Sequence, residues 1–539
     1  MKNWLRLITG KAGAAAPAAS GSAAPRMTAR YLRDTPSGVI ASRRAYLRES
    51  RDDIRASWRQ AAALAADLLQ NSGRLTGVVN QVIADTVGVE LQLNPKPDLA
   101  KLGYDAKETD DWCRLVKNEW KRHVWNPLEV DIRGKFTLPQ MVDIGLRWYM
   151  AFGEVTGTHE FLSEPERARY GVRTGSKLCL IPPSRLVQDT NESERLYQGV
   201  YHDENGRATG YLFEERDRGI TSRRLYPAYD ADRRPVVMHI FDPVDATDVR
   251  GISVFAPATR KHLQHERLDD ATLQTAILQT IFAAILTSEK PSLDAFEAIE
   301  TLQSSGGEAA KEFASAFTGY MHGSLDRASG SALSLSADPT VSHLGPGEDL
   351  QFRQAVAPGS NYLPFSGALS REMARALGVT YGGLTMDYTA ATYASSRMET
   401  SSIWPVVLRR RERIAAPMCQ QVYEHWLDEM IGTGRIPLKG GYAAFLAYRE
   451  EVCWAQWQGP AKPTADDLKS AKASTERLSN GTSSLGIECA EMGIDEDELF
   501  QQREAEHRKY RAAGMRSPYD PHPGTGAASP ADKEDDDDE

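Results

Sequence analysis

Cysteine is scarce. The chain has five, Cys113, Cys179, Cys419, Cys453 and Cys489, and none stand in CxxC spacing. An odd, scattered set excludes a disulfide scaffold or structural zinc and fits a reducing compartment. Long apolar runs are missing too: no stretch approaches ~18 consecutive apolar residues, so no membrane-spanning helix is expected. The opening MKNWLRLITGKAGAAAPAAS has a short apolar stretch broken by Arg6, Thr9 and Lys11, unlike a secretory signal. No GxxxxGK[ST] loop occurs, which excludes that class of nucleotide hydrolase. Excess positive charge is also lacking. Lys and Arg number 64 against 74 Asp and Glu, a net charge of −10. Such a chain is poorly suited to tight nucleic-acid binding, which draws its strength from neutralised phosphates; ordinary solubility explains the number equally well.

What is present is a globular composition, 41% hydrophobic and 26% charged, on 539 residues. That length exceeds one core, so several domains are expected. Residues 11–26 are Ala/Gly/Ser/Pro-rich and read as disordered. From Arg51 a helix shows Ile54, Trp58, Ala61, Ala65, Leu68 and Leu69 on one side, and a second follows with Leu75, Val78, Val79, Val82 and Ile83. Val89, Leu91 and Leu93 alternate as a strand. Further helices are expected over Asp110–Trp125 and through Met141–Trp148, then a strand opened by Gly153-Glu154. Glu154 admits a catalytic reading, but a solvated strand end is the stronger one. Residues 155–255 alternate short strands and polar turns, giving an α+β region. Pro257–Leu286 carries Leu273, Ile277, Ile281 and Ile285 at i+4 steps, and its second half is apolar nearly all round. Such a helix buries more than one face, either in the core of a monomer or between its own chain and a neighbour. Residues 287–360 are Ser/Gly/Ala/Asp-rich with weak periodicity.

The organising stretch is Asn361–Cys419. A first helix places Leu369, Met373 and Leu377 on one stripe, with Ser366 as a candidate N-cap and Gly378 as a left-handed C-terminal cap. A Gly/Thr/Tyr-rich loop follows, with Gly382-Gly383 inside it. A second helix, which Ser395 or Ser396 could cap, holds Ile403, Val407, Ile414, Met418 and Val422 on one face. Pro405 and Pro417 should kink or break it. Between them stand Arg409, Arg410, Arg411 and Arg413.

This stretch resembles the lambda family of tailed-phage portal proteins. The residues that carry the resemblance are Leu363-Pro364, Leu377-Gly378, Tyr381, Leu384, Asp387 and Tyr393-Ala394-Ser395-Ser396-Arg397, where Ala394 replaces a Ser. Other family signatures run along the chain in order: Asp131, Gly134 and Phe136, with shifted spacing; Gly153-Glu154; His239-Ile240-Phe241; Arg250-Gly251-Ile252-Ser253; and Asp466 with Lys469, where Asp467 and Ser470 depart from the pattern.

The resemblance implies an α+β, portal-type multidomain subunit that assembles into a ring. Its expected divisions are a disordered N-terminus (1–26), wing (27–255), first stem helix (256–286), clip (287–360), second stem helix (361–378), tunnel loop (379–396), long kinked helix returning to the wing (397–458), crown helices (459–515) and disordered acidic tail (516–539). It implies a ring of about twelve copies through which double-stranded DNA is packaged and ejected. The implied partners are the terminase large subunit, the major capsid and scaffold proteins and the head-completion proteins, with no membrane. The expected location is the unique capsid vertex of the virion, after assembly in the host cytoplasm. No cofactor and no metal are implied.

On this reading Leu273, Ile277, Ile281 and Ile285 are inter-subunit stem contacts. Tyr381, Gly382, Gly383, Thr385, Asp387, Tyr388, Thr389 and Thr392 line the DNA channel. No Lys or Arg lies between Val379 and Ser396, so the loop would touch DNA without holding its phosphates; an ordinary surface turn is the alternative. Arg397, Arg409, Arg410, Arg411 and Arg413 either meet DNA or a neighbouring subunit, or pair with local acids as charge runs usually do.

Chemistry is hard to find. His262, His265 and Glu266 form HLQHE, which is neither zincin spacing, and a metal would lack a third ligand. GTSSLG from Gly481 is not a nucleophile elbow. The competing function, a phage-derived structural protein with an embedded hydrolase, would need a nucleophile and a placed base, and the sequence offers neither. No enzyme is expected.

Overall fold

The computed structural model describes residues 47–281, 284–288, 315, 319, 348–352, 359, 361–389, 391–464 and 467–520. The chain divides at Glu49/Ser50, and everything below concerns the second unit. Helix α1 (Ser50–Asn71) buries Ile54, Trp58, Ala62, Ala65 and Leu68. Helix α2 (Gly73–Thr86) buries the apolar face read from its sequence. Strand β1 (Gln92–Pro95) follows; Leu93 within it and Leu91 just before it are buried, while Val89 of the expected strand is exposed in the preceding turn.

Helix α3 (Ala106–Val124) starts at a capping box in which Asp105 and Glu108 satisfy each other's backbone N–H. Helix α4 (Leu138–Phe152) starts the same way, at Thr137 and Gln140. Between them Asp131 accepts the backbone N–H groups of Arg133, Lys135 and Phe136, holding the turn around Gly134.

Strand β2 (Glu154–Phe161) lies between β3 (Ser176–Leu180) and β8 (Val237–Phe241) in an antiparallel sheet. Between those two strands the chain makes a four-stranded antiparallel meander, β4 (Leu196–Tyr197), β5 (Val200–His202), β6 (Ala208–Asp217) and β7 (Ile220–Pro227).

Helix α5 (Ala256–Ile281) ends before the expected Leu286. Ala284–Ser288 is strand β9, paired antiparallel with β10 (Glu348–Phe352), Ile285 opposite Gln351. Ile285 therefore stands on a strand, not on the stem helix. Its β-branched neighbours in AILTS suit either periodicity. The rest of the expected clip falls outside the described residues, as do the N-terminal segment and residues 521–539.

Helix α6 (Tyr362–Leu377) starts one turn earlier than expected, so Ser366 is not its cap; Gly378 closes it at φ 64°. A short helix, α7 (Tyr381–Thr385), comes next. Helix α8 (Tyr393–Arg410) is capped by Thr392 rather than by Ser395 or Ser396. It passes through Pro405 and widens into a π turn at Arg411–Ala415. Helix α9 (Ala416–Gly432) continues it with Pro417 in its first turn. The expected disruption is this π turn. Pro417 has no N–H to return to the turn below, and a wider turn removes the clash its ring would cause.

Strand β11 (Ala455–Gln458) pairs with β1, Leu93 opposite Trp457. The pairing seals the main core, where the rings of Tyr423, Trp426 and Trp457 lie 5.4, 5.2 and 5.8 Å from that of Trp120. Helices α10 (Asp467–Ser479), α11 (Leu485–Glu491) and α12 (Glu496–Ala512) finish the described chain. Lys117 of α3 anchors them, 2.8 Å from both Asp495 and Asp497.

Candidate functional site

The expected loop is shorter than its sequence suggested. Thr380 accepts the backbone N–H of Gly383 at 2.9 Å and starts the α7 turn. Leu384 is buried in the main core. Gly382 and Gly383 are therefore not hinges. A Cβ on Gly382 would run into the Tyr388 ring, and one on Gly383 would crowd the Thr380 hydroxyl. The exposed part begins at Met386, which sits in the left-handed region at φ 56°. Asp387 accepts the backbone N–H and the hydroxyl of Thr389, at 3.0 and 2.6 Å. Those two bonds hold its carboxyl below the usual range. Tyr381 is half-buried beneath the Arg371 guanidinium, 5.0 Å from its centroid. Thr385 returns its hydroxyl to the Tyr381 carbonyl at 2.9 Å, and Thr392 is spent on the α8 cap. The segment thus offers Met386, Asp387, Tyr388 and Thr389 to the outside.

The arginines separate into three groups. Arg397 is exposed on the first turns of α8. Arg409 and Arg413 both hold Asp242, at the end of β8. Arg410 and Arg411 are buried, which takes them out of the expected contact with DNA or a neighbour. Arg410 donates to the Leu377 and Gly378 carbonyls at the end of α6. Arg411 donates to the Thr86 carbonyl at 2.9 Å, to Asp85 at 3.3 Å and to Pro460 at 3.0 Å. Both fill carbonyl positions that a helix end leaves unpaired. Arg410, the last residue of α8, thus secures the end of α6, and Arg411, the first of the π turn, ties the end of α2 to the segment leading into α10.

The α5–α6 pair bears the expected stem residues Leu273, Ile277 and Ile281. Leu273 is 60% exposed, and across the pair Leu363 and Phe365 on α6 are also exposed. The side chains of Ile277 and Ile281 lie outside the described residues. The two helices are joined to α2 by a polar knot. His265 contacts Arg74 and lies 2.7 Å from the Ser366 hydroxyl and 3.2 Å from Asp269, which accepts the Tyr362 hydroxyl at 2.7 Å. His262 lies 2.9 Å from Glu266. His265 is a hydrogen-bonding joint, whereas both ring nitrogens of His262 are buried without a hydrogen bond; among the described residues no His/Cys/Asp/Glu cluster could hold a metal.

Sequence reasoning missed one node. Glu154, read as a solvated strand end, has no exposure. Its carboxylate takes Arg250 Nε at 2.8 and 2.9 Å, His239 Nε2 at 3.1 Å and the Gly251 N–H at 3.2 Å. Arg250 also donates to the Pro183, Leu186 and Gln198 carbonyls and stacks 4.6 Å from the Trp58 ring. Burial pushes the Glu154 carboxyl up, but Arg250 and His239 hold it below its ordinary value. The signal was available: the Gly-Glu and Arg-Gly-Ile-Ser signatures are the two halves of this node.

The sequence comparison agrees with these joined signatures. Residues 37–411 match the phage portal proteins of the lambda family, and the chain belongs to that family. It is 26% identical over 472 residues to the portal protein of Escherichia phage N15, covering 85% of each chain. It is 25% identical over 472 residues to portal protein B of Escherichia phage lambda, with the same coverage. Among solved structures, a chain in the neck of an empty gene transfer agent particle matches 68% of this chain and 82% of its own at 14% identity and a TM-score of 0.39, too loose a superposition to argue from. No helix among the described residues is long and apolar enough to cross a membrane.

Proposed function

We propose that the protein forms the portal ring at the unique vertex of a phage or prophage capsid, through which DNA is packaged and later ejected. The terminase large subunit docks on it during packaging, it is built in with the major capsid and scaffold proteins, and head-completion proteins follow. The ring holds about twelve copies, the closed symmetry a channel requires. The observation that carries this is the α5–α6 pair, whose Leu273, Leu363 and Phe365 are apolar side chains that a lone subunit leaves in water. The segment at Met386–Thr389 faces the channel. Its one charge is the negative Asp387, so it fits against DNA without gripping phosphates. Arg397 is the arginine free of the interior, and Arg409 and Arg413 are available only in part. No observation favours the embedded hydrolase.

Leu273→Asp combined with Leu363→Asp tests the ring. Both side chains are exposed in the subunit, so its melting temperature should hold while light scattering reports monomers. Intact rings would refute the stem interface. Replacing Met386–Thr389 with a Gly/Ser linker tests the channel: rings should form and DNA packaging should fail.

A further inference from the structure

A cavity of about 320 Å³ opens beneath α9, between its C-terminal half, the ends of β2 and β3 and the loop before β8. Nothing in the portal reading uses it. Four carboxylates line it: Glu160, Asp230, Asp428 and Glu429. Two guanidinium groups answer them. Arg234, in the lining, holds Asp230 at 2.7 Å, and Arg167 holds Glu429 at 3.2 Å. Glu429 also accepts the backbone N–H groups of Gly175 and Ser176 at 2.6 and 2.8 Å, so it is fully occupied. Lys177 also acts on Glu429, and Arg234 divides itself between Asp230 and Asp428.

Of the four, Asp428 is the one with a buried oxygen left unpaired. It is 5% exposed. Its Oδ1 accepts the Tyr442 hydroxyl at 2.9 Å and lies 3.5 Å from Arg234. Its Oδ2 has no hydrogen-bond partner among the described residues. A buried carboxylate oxygen left unpaired is costly, and a cavity beside it is where a partner would come from.

Two further features restrict that partner. His159 and His425, stacked with centroids 4.2 Å apart, also line the cavity. Burial holds His425 down to about 4 and His159 well below its ordinary value, so neither repels a cation near neutral pH. The rings of Phe161, 64% exposed, and Tyr442 complete the lining. Arg167 already lies over the Phe161 ring, 5.8 Å from its centroid, and Arg234 reaches only Oδ1 of Asp428; the Tyr442 ring beside the unpaired Oδ2 still suits an ammonium or guanidinium head. A bare divalent ion would need a ligand cluster that the described residues do not supply.

We propose that this cavity is a binding site for an organic cation whose ammonium or guanidinium head meets Asp428. Two sources share that chemistry: a free polyamine, or a Lys or Arg side chain of a docked protein. Calorimetry on the purified full-length protein in 0.15 M salt, with 1,4-diaminobutane and separately N-acetyl-arginine amide, tests it. Binding of the diamine indicates the free polyamine, and binding of the arginine amide alone indicates the side chain. Whichever probe binds, Asp428→Asn should weaken it at least about tenfold, the loss of a charge-assisted bond. Asn retains the acceptor for Tyr442. Phe161→Ala, on an exposed ring, should weaken it by about two- to fivefold and supplies the test if Asp428→Asn does not fold. No binding of either probe, or binding unchanged in both variants, overturns the proposal.

Discussion

Glu154 and Arg250, 96 residues apart in the chain, form a two-pronged ion pair with no solvent exposure on either side chain. Around it converge α1, β2, β8 and the turn at Pro183, all by bonds to one guanidinium or one carboxylate. The pair replaces apolar packing where the sheet edge meets the first helix, and its loss would be felt in all of these elements.

Arg250→Met should therefore destabilise the subunit by about 3–5 kcal/mol, because it leaves Glu154 buried and charged without its main partner. Replacing both, Arg250→Met with Glu154→Leu, should cost less than either single change. Thermal melts of the three variants decide this; additive losses would show that the two side chains are not coupled and would overturn the prediction. Gly153→Ala should be worse than any of them. Gly153 sits at φ 86°, and a Cβ there would run into the Ile252 backbone, so little soluble protein is expected.

Acid should weaken the fold before the carboxylates titrate. His123 is packed near the rings of Trp120 and Trp426, and burial lowers it to about 3. In the unfolded chain it takes its proton near ~6.5. Between those values the unfolded state binds the extra proton, so stability present above pH ~6.5 is lost as pH falls toward 3. Each such histidine adds a slope of up to about 1.4 kcal/mol per pH unit. Denaturant midpoints taken from pH 7 to pH 5 should fall in the native chain and fall less in His123→Phe. Equal slopes would sink the assignment.

Leu384 and Met386 are two residues apart and should behave oppositely. Leu384→Ala removes a core side chain and should cost about 2–4 kcal/mol. Met386→Ala, at a position 73% exposed, should leave the melt within about 0.5 kcal/mol and act only on DNA passage. A stability loss at Met386 would place it in the subunit's packing.

The C-terminal boundary lies later than composition suggested. Ser517 is buried, Tyr519 donates to Glu506 beneath Arg503, and Asp520 pairs with Arg511 at 2.9 Å. Removing residues 521–539 should leave ring assembly and the helical signal unchanged, whereas removing 517–539 should fray α12. Amide exchange along Glu496–Ala512 distinguishes the two.

The sequence was most legible where structure is local. The apolar stripes of α1, α2 and α6 and the left-handed Gly378 followed from spacing and one φ requirement. It was least legible where distant residues meet. Glu154 looks solvated until Arg250 is folded onto it. The arginine run looks like one charged patch only when read along the chain; at about 100° per residue Arg409 and Arg413, four apart, share the outer face while Arg410 and Arg411 turn inward to carbonyls. Ile285 fits the i+4 series from Leu273 as well as it fits a strand, and only its partner Gln351 settles the matter. Gly382-Gly383 suggested bending, but the room beside Gly382 is filled by the Tyr388 ring, a contact no composition reveals.

The pairing of β1 with β11 sets a schedule for the chain's synthesis. Trp120 waits for Trp457, and Lys117 waits for Asp495, 378 residues downstream. At about 5–20 residues per second, roughly 20 to 75 seconds separate the making of Lys117 from the making of its partner. Until Trp457 is made the ring cluster around Trp120 lacks one of its walls, so the nascent subunit is most exposed to misassociation before its last stretch leaves the ribosome. A translation stop anywhere before Trp457 releases a chain that cannot close.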